Sequence, residues 1–258
     1  MIIFFLYFFF IKFLVLGYGL LFKNFLIKKK IITELYIGEV GILGFFNLYF
    51  LSLFLHFFTP LYPFLNLIII FTGVIIFLFK YNNVVTNIKK FFFLLIFLLI
   101  FFGLFNIKNH PDFDWYYLPY INYLNSFKII FGIVNINDFL GYTHSWIDIS
   151  GIFVIPFIGV KGITLIPIIF YIFCLFSMLE YFFLTKNYFI KYFILFIISF
   201  CISNYTKTSE FGGDLPSTVL SFLIAIIFIK ISSVSKNEDD WKIKIIFLFF
   251  FACILRVN

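Results

Sequence analysis

The chain has 258 residues, 64% of them hydrophobic and only 12% charged, and its 19 Lys and Arg against 12 Asp and Glu leave a formal net charge of +7. A soluble domain carries about 45–50% apolar and about 25% charged residues, and a single soluble core cannot hide this surplus from water. A soluble enzyme, a disordered chain and a nucleic-acid binder are thereby excluded, and the positive charge reads as membrane topology. The 47 Phe, alongside abundant Ile, Lys and Asn, match an AT-rich coding bias that exchanges Leu for Phe and Ile without changing the physics. Cys174, Cys201 and Cys253 lie inside apolar runs, with no metal-ligand spacing and no disulfide framework.

A helix of about 20 apolar residues crosses a hydrocarbon layer of about 30 Å. Such runs cover about 1–22, 37–58, 62–79, 91–107, 163–185, 188–204, 216–230 and 243–256. The predicted fold class is all-α: a polytopic integral membrane protein with about eight transmembrane helices and interfacial helices in one large outer loop. One membrane domain covers 1–258, with N-terminal helices over 1–90 and a core over 91–258 that contains the outer loop 108–161. The first run is not a removable signal peptide, because Lys12 interrupts it, it runs too long and no small-residue cleavage site follows. No internal repeat is visible. The last run ends FACILRVN without a closing loop: either a hydrophobic tail stops at the far interface or the chain is cut short of further helices.

The run 145–160 (SWIDISGIFVIPFIGV) is apolar but carries Asp148, Gly151, Pro156 and Gly159. The positive-inside rule decides its placement. If it does not cross, Lys23, Lys28, Lys29, Lys30, Lys80, Lys89, Lys90, Lys186, Lys191, Lys230, Lys236, Lys242 and Lys244 share the inner face. Only Lys108, Lys128, Lys161 and Lys207 then lie outside. If it crosses, Lys230 to Lys244 move outside and the bias collapses. A helix lying on or dipping into the outer interface is therefore predicted, with the N-terminus also outside.

Under this topology Asp112, Asp114, Asp138, Asp148, Glu210 and Asp214, half of the 12 acids, collect on the outer face. Two clusters stand out: HPDFDWYYLP at 110–119 and NYTKTSEFGGDLPS at 204–217. Pro111 ends the preceding helix and sets Asp112 and Asp114 at the membrane lip. A carboxylate there is partly desolvated, which moves it toward general-base values; alternatively the D-x-D pair holds a divalent cation through hard oxygen ligands. Trp115, Tyr116, Tyr117 and Tyr120 form an aromatic platform, of a kind that interfacial belts also produce. Residues 116–131 predict a short amphipathic helix past Pro119, with Tyr120, Tyr123, Leu124 and Phe127 on one side. His144 follows in turn-rich sequence; histidine is the residue type suited to a proton switch, although a lone loop His is more often a plain polar residue. In the second cluster Asp214 fits an N-cap with Pro216 in the first helical turn, and Lys207 offers a point charge for a phosphate.

Three charges lie within or beside the spans. Intramembrane ionisable groups are candidates for function. Glu39 and Glu180 are close enough to helix ends to snorkel into water. Lys12 is deeper and needs a cavity, a partner or an anionic lipid. Glu238-Asp239-Asp240 reads as a solvated inner loop.

Residues 37–80, then Asp112, Tyr116, Leu118-Pro119, GIVNINDFLGYTHSW and Asp214-Leu215-Pro216 resemble a group of bacterial multi-pass membrane proteins. That group carries an Asp upstream of a Tyr-His-Leu-Pro motif, a Pro-Gly-x-x-Asn-like turn, an Asn-Ser-Ser-Trp-like stretch and a later Ser-Pro-x-x-Asp-type loop. It is similar to the GT-C class of membrane glycosyltransferases, which use polyprenyl-phosphate-linked sugars and keep an acidic residue in the first large outer loop. The resemblance covers residues 37–257 and departs at three places. The group's His is Tyr117, its Ser-Ser before Trp146 is His144-Ser145, and Glu210 and two Gly precede Asp214.

The resemblance implies transfer of a sugar from a polyprenyl-phosphate donor to an outer-face acceptor in envelope polysaccharide or lipid assembly, at a bacterial inner membrane. Asp112 is then the general base or metal ligand, with Asp114 its charged neighbour. A divalent cation at Asp112 and Asp114 is the implied cofactor. Lys207, Lys128 and Lys161 neutralise the donor phosphate, Asp214 orients hydroxyls, and Tyr116, Tyr117 and His144 complete the substrate site. Expected partners are membrane lipids and the lipid-linked sugar, with no nucleic acid. Two rival readings stay open. A transporter or lipid flippase would use Lys12, Glu39 and Glu180 as a midplane relay, and a non-catalytic scaffold would show no converging acids.

Overall fold

The computed structural model describes residues 2–28, 35–80, 113–141, 145–209, 211–212, 214–233 and 238–256. The expected fourth span, 91–107, lies outside them, as do Asp112 and His144. The described chain is all-α, with no strand: α1 (Ile2–Lys28), α2 (Ile37–Phe58), α3 (Pro63–Lys80), a π-helical turn (Phe113–Tyr117), α4 (Leu118–Ser126), α5 (Ser145–Gly151), α6 (Leu165–Leu184), α7 (Tyr188–Ser203), α8 (Asp214–Ser233) and α9 (Glu238–Arg256). Four stretches are long and apolar enough to cross a membrane: Leu6–Leu26, Ile37–Phe58, Pro63–Lys80 and Val160–Leu184. Tyr188–Ser203 is an apolar helix of lesser length.

Helix α6 is the centre of the bundle. Every residue from Leu165 to Tyr181 is buried, as expected for a helix apolar all round. Against it pack α2, α7 and α8; α1 and α5 cover α2, α3 covers α1, and α9 closes on α8. The outward faces of α3 and α7 stay apolar, with Phe64, Leu78, Phe79, Tyr188, Phe189 and Phe196 exposed. In water such a surface would aggregate, whereas in a bilayer lipid tails solvate it.

Apolar contact gives little net drive between helices in lipid, so close backbone approach replaces it. Gly17 shows this. A Cβ there would stand 1.9 Å from the Gly73 carbonyl oxygen, so α1 and α3 touch backbone to backbone. Gly38 does the same for α2 against α6, where a Cβ would lie 2.3 Å from the Ser177 nitrogen.

The segment 145–160 differs from a helix resting on the surface. Only Ser145–Gly151 is helical, seven residues long and buried throughout; at 1.5 Å per residue it spans about 10 Å, too short to cross. Its two ends are tied to the same end of the bundle. Ser145 Oγ donates to the Ile254 carbonyl (2.6 Å) near the end of α9, and Tyr7 near the start of α1 donates to the Phe153 carbonyl (2.6 Å). Asn66 Nδ2, at the start of α3, lies within bonding distance of the Leu61, Gly151 and Val154 carbonyls and of Asn125 Oδ1. The segment therefore dips into the bundle and returns. Protein side chains bury residues 145–155, which is why that apolar sequence mimics a span, while Phe157 stays exposed.

Candidate functional site

Helix α4 begins at Leu118, one residue before Pro119, and stops at Ser126. Tyr120, Tyr123 and Leu124 are buried as their spacing predicts, and Ile121 joins them. Phe127 does not, because the helix has already ended and its ring is exposed. The stop is set by α2: His56 Nε2 bonds the Phe127 carbonyl (2.9 Å), the Ile129 N–H donates to the His56 carbonyl (3.1 Å), and the Leu61 N–H donates to the Leu124 carbonyl (2.9 Å).

The π-helical turn ahead of α4 presents Asp114 and Trp115 to the surroundings and keeps Phe113 inside. Its aromatic rings reach the second polar cluster. Phe211, buried in the loop before α8, meets Phe113 edge-on at 5.8 Å and Tyr117 edge-on at 5.2 Å between centroids. Tyr116 and Tyr117 are half-buried and pack on each other at 5.2 Å. The two loops expected to cooperate are thus in contact through rings, with Phe211 as the unforeseen bridge.

The expected phosphate-binding cations are less organised. Lys128, Lys161 and Lys207 are all exposed. Asp214 is exposed and is the first residue of α8 rather than the cap before it; its carbonyl accepts from Ser217 Oγ (2.9 Å) and Thr218 Oγ1 (2.7 Å). A groove of about 480 Å³ runs along α8 and α9, lined by Ser217, Thr218, Ser221, Phe222, Ile224, Phe249, Ala252 and Cys253. Among its described lining residues neither Lys207 nor Asp214 appears. No group of three or more metal-ligating side chains occurs among the described residues.

Asp148 is the acid that sequence reasoning passed over. It sits on α5, 3% exposed, with α2 and α4 packed around that helix. The Tyr120 hydroxyl donates to its Oδ1 (3.2 Å), and among the described residues its Oδ2 has no hydrogen-bond partner. Burial pushes the carboxyl up to about 7, and the Tyr120 hydrogen bond offsets only part of that rise. Burial also pushes the Tyr120 phenol up, with the Asp148 charge adding to it. The sequence signal was an acid within an apolar run, which read as an interruption.

A second polar centre lies at the opposite ends of the helices. Glu39 accepts hydrogen bonds from Lys244 Nζ (3.0 Å), from the Tyr36 N–H (3.0 Å) and from the Tyr181 hydroxyl. Glu180 accepts from the Ile37 and Gly38 N–H groups (3.2 and 3.1 Å), the unpaired donors at the start of α2. Lys230 Nζ stands 4.8 Å from the centre of the Tyr181 ring. Glu39, Glu180, Tyr181 and Lys244 are buried, so neither acid snorkels into water as expected. Lys12 takes no part: its ammonium lies over the Phe8 and Phe9 rings at 4.5 and 4.1 Å. Glu238, Asp239 and Asp240, expected in a solvated loop, are the first residues of α9.

These features define a class: an all-α membrane protein whose helices enclose one buried acid at a polar-loop end and one ionic node at the other. The chain belongs to the family described as Domain of unknown function (DUF8201), whose model matches residues 1–257. No curated protein and no solved structure matches it.

Proposed function

We propose that this protein is a GT-C-like membrane glycosyltransferase that moves a sugar from a polyprenyl-phosphate donor to an acceptor at the outer face of a bacterial inner membrane. In this reading eight helices cross, the eighth being 91–107, and the loop end of the bundle faces outward. The contact of Phe211 with Phe113 and Tyr117 carries the reading. It joins the loop bearing Asp112 and Asp114 to the one bearing Lys207 and Asp214, and neither loop alone has enough polar groups to hold donor and acceptor. Asp112 takes the proton of the acceptor hydroxyl, alone or with a divalent cation shared with Asp114. The acceptor oxygen then bonds the sugar's anomeric carbon as the bond to the donor phosphate breaks. The lipid phosphate leaves with the electron pair, and Lys207, Lys128 and Lys161 stabilise its charge.

The test is sugar transfer in membranes supplied with radiolabelled polyprenyl-phosphate sugars, comparing the native chain with Asp112→Asn and Asp114→Asn. Loss of a general base lowers the rate about 10²–10⁴-fold. Transfer that persists in both variants with normal protein levels removes the assignment.

The transporter reading draws on the buried Glu39, Glu180 and Lys244 node. That node sits where α2 begins and α6 ends, and Glu180 is engaged in capping α2. A helix-end lock accounts for these contacts without transport.

A further inference from the structure

Asp148 carries one bonding position that the described chain leaves unfilled. Tyr120 occupies Oδ1 and nothing occupies Oδ2. The elements packed on α5 bring no cation to it among the described residues. From α2 the Tyr49 phenol lies within reach of its charge, and α4 supplies Tyr120, itself neighboured by Tyr116 and Tyr123. From α9 the bond runs from Ser145 to the Ile254 carbonyl, not to the acid.

A carboxyl so placed needs a partner in either protonation state: a donor when ionised, an acceptor when protonated. Burial sets Asp148 near neutrality, so both states are populated. A cation or ammonium serves the ionised state alone. A hydroxyl serves both, since it donates one hydrogen bond and accepts two. The location fits the same chemistry. Tyr120 lies one helical turn beyond Tyr116, in the segment that begins with the π-helical turn, and that turn touches Phe211 of the second polar loop. π-Helical turns are rare and concentrate at functional sites. At 3% exposure, Asp148 is closed off by the packing around α5, so a ligand reaches it only as that packing rearranges.

We propose that Asp148 and Tyr120 form a seat for a ring hydroxyl of the transferred sugar, with Asp148 Oδ2 as the atom that fixes it. This rests on the glycosyltransferase reading and adds to it a residue that determines sugar specificity. No covalent bond changes at Asp148. Ionised, it accepts a charge-assisted hydrogen bond from the hydroxyl; protonated, it donates one.

The full chain in lipid nanodiscs is titrated with methyl glycosides of glucose, galactose, mannose and N-acetylglucosamine, followed by saturation-transfer NMR at about pH 5.5 and about pH 8.5, on either side of the Asp148 titration. One glycoside is expected to bind, more tightly at the higher pH. Asp148→Asn, which keeps the side-chain shape, is expected to remove the pH dependence, and Asp148→Ala to weaken binding by about tenfold or more, the scale of a lost charged hydrogen bond. Thermal unfolding confirms that each variant is folded. No binding by the native chain, or equal binding by Asp148→Ala, overturns the seat. Sugar transfer measured on the same samples separates the two proposals. Transfer with unaltered sugar preference in Asp148→Ala removes the seat and leaves the transferase, whereas Asp148-dependent glycoside binding without any transfer does the reverse.

Discussion

The Tyr117 ring meets the Phe211 ring edge-on, 5.2 Å between centroids, across a sequence gap that contains α4, α5, α6 and α7. Phe211 is 2% exposed, so it anchors the loop before α8 to the start of α4. Phe211→Ala removes both ring contacts and opens a void, at a cost of about 3–5 kcal/mol in unfolding free energy. Sugar transfer is expected to fall with it. Denaturant titration of the detergent-solubilised protein reads the first effect. Full transfer in Phe211→Ala would show that the two loops need not meet.

Asp148 makes stability depend on pH in a definite direction. Its folded-state value, about 7, is raised above the ordinary 3.8, so between these limits the folded protein holds more protons than the unfolded chain. Its favourable contribution is complete below the ordinary value and is lost as pH rises through about 7. Near pH 8 the loss reaches about 4 kcal/mol, three pKa units at about 1.4 kcal/mol each. Asp148→Asn is therefore expected to exceed the native chain in stability at about pH 8, with the gap closing toward about pH 5. Melting temperatures of both proteins across that range check it. A gap that widens on acidification would contradict the sign.

Glu39 and Lys244 form a buried pair at 3.0 Å that ties α2 to α9. Removing one partner leaves the other charge buried and uncompensated, which costs about 3–5 kcal/mol. Glu39→Gln and Lys244→Met are each expected to destabilise by this order, and the double variant by less than their sum. Chemical denaturation of the four proteins completes the cycle. Strict additivity would show that the two side chains act independently.

The polar loops and the ionic node occupy opposite ends of the bundle, which fixes the sidedness of single cysteines. Cysteines replacing Lys161 and Lys207 are expected to react with a membrane-impermeant maleimide from one side, and cysteines replacing Lys186 and Lys242 from the other. Segment 145–154 enters and leaves at one end, tied by Asn66, Tyr7 and Ile254. Labelling of Lys128→Cys and Lys161→Cys from opposite faces would make the segment a crossing.

Much of the architecture was legible in the residues. The apolar runs 37–58, 62–79 and 163–185 coincide with α2, α3 and α6 to within two residues, because apolar length alone marks a helix that lipid can solvate. The lysine bias led to 145–160 being read as a segment that does not cross, and its helical part, Ser145–Gly151, is only seven residues long. The candidate site was legible only in outline. The loops containing Asp114 and Asp214 were recognised by composition, but Phe211, their physical link, was one Phe among 47.

Composition and run length by themselves determined that the described chain is all-α with apolar helices long enough to cross a membrane, since those properties depend on each segment's own contact with lipid or water. Tertiary structure alone decided which polar groups are buried and with whom. Glu39 and Lys244 are 205 residues apart, and Glu180 meets the start of α2 from 142 residues away. Asp148 owes its exclusion from water to α2 and α4, which lie on either side of it in space and not in sequence. The electrostatic state of a group depends on the dielectric and partners around it, and in a bundle these come from helices that the local sequence does not contain.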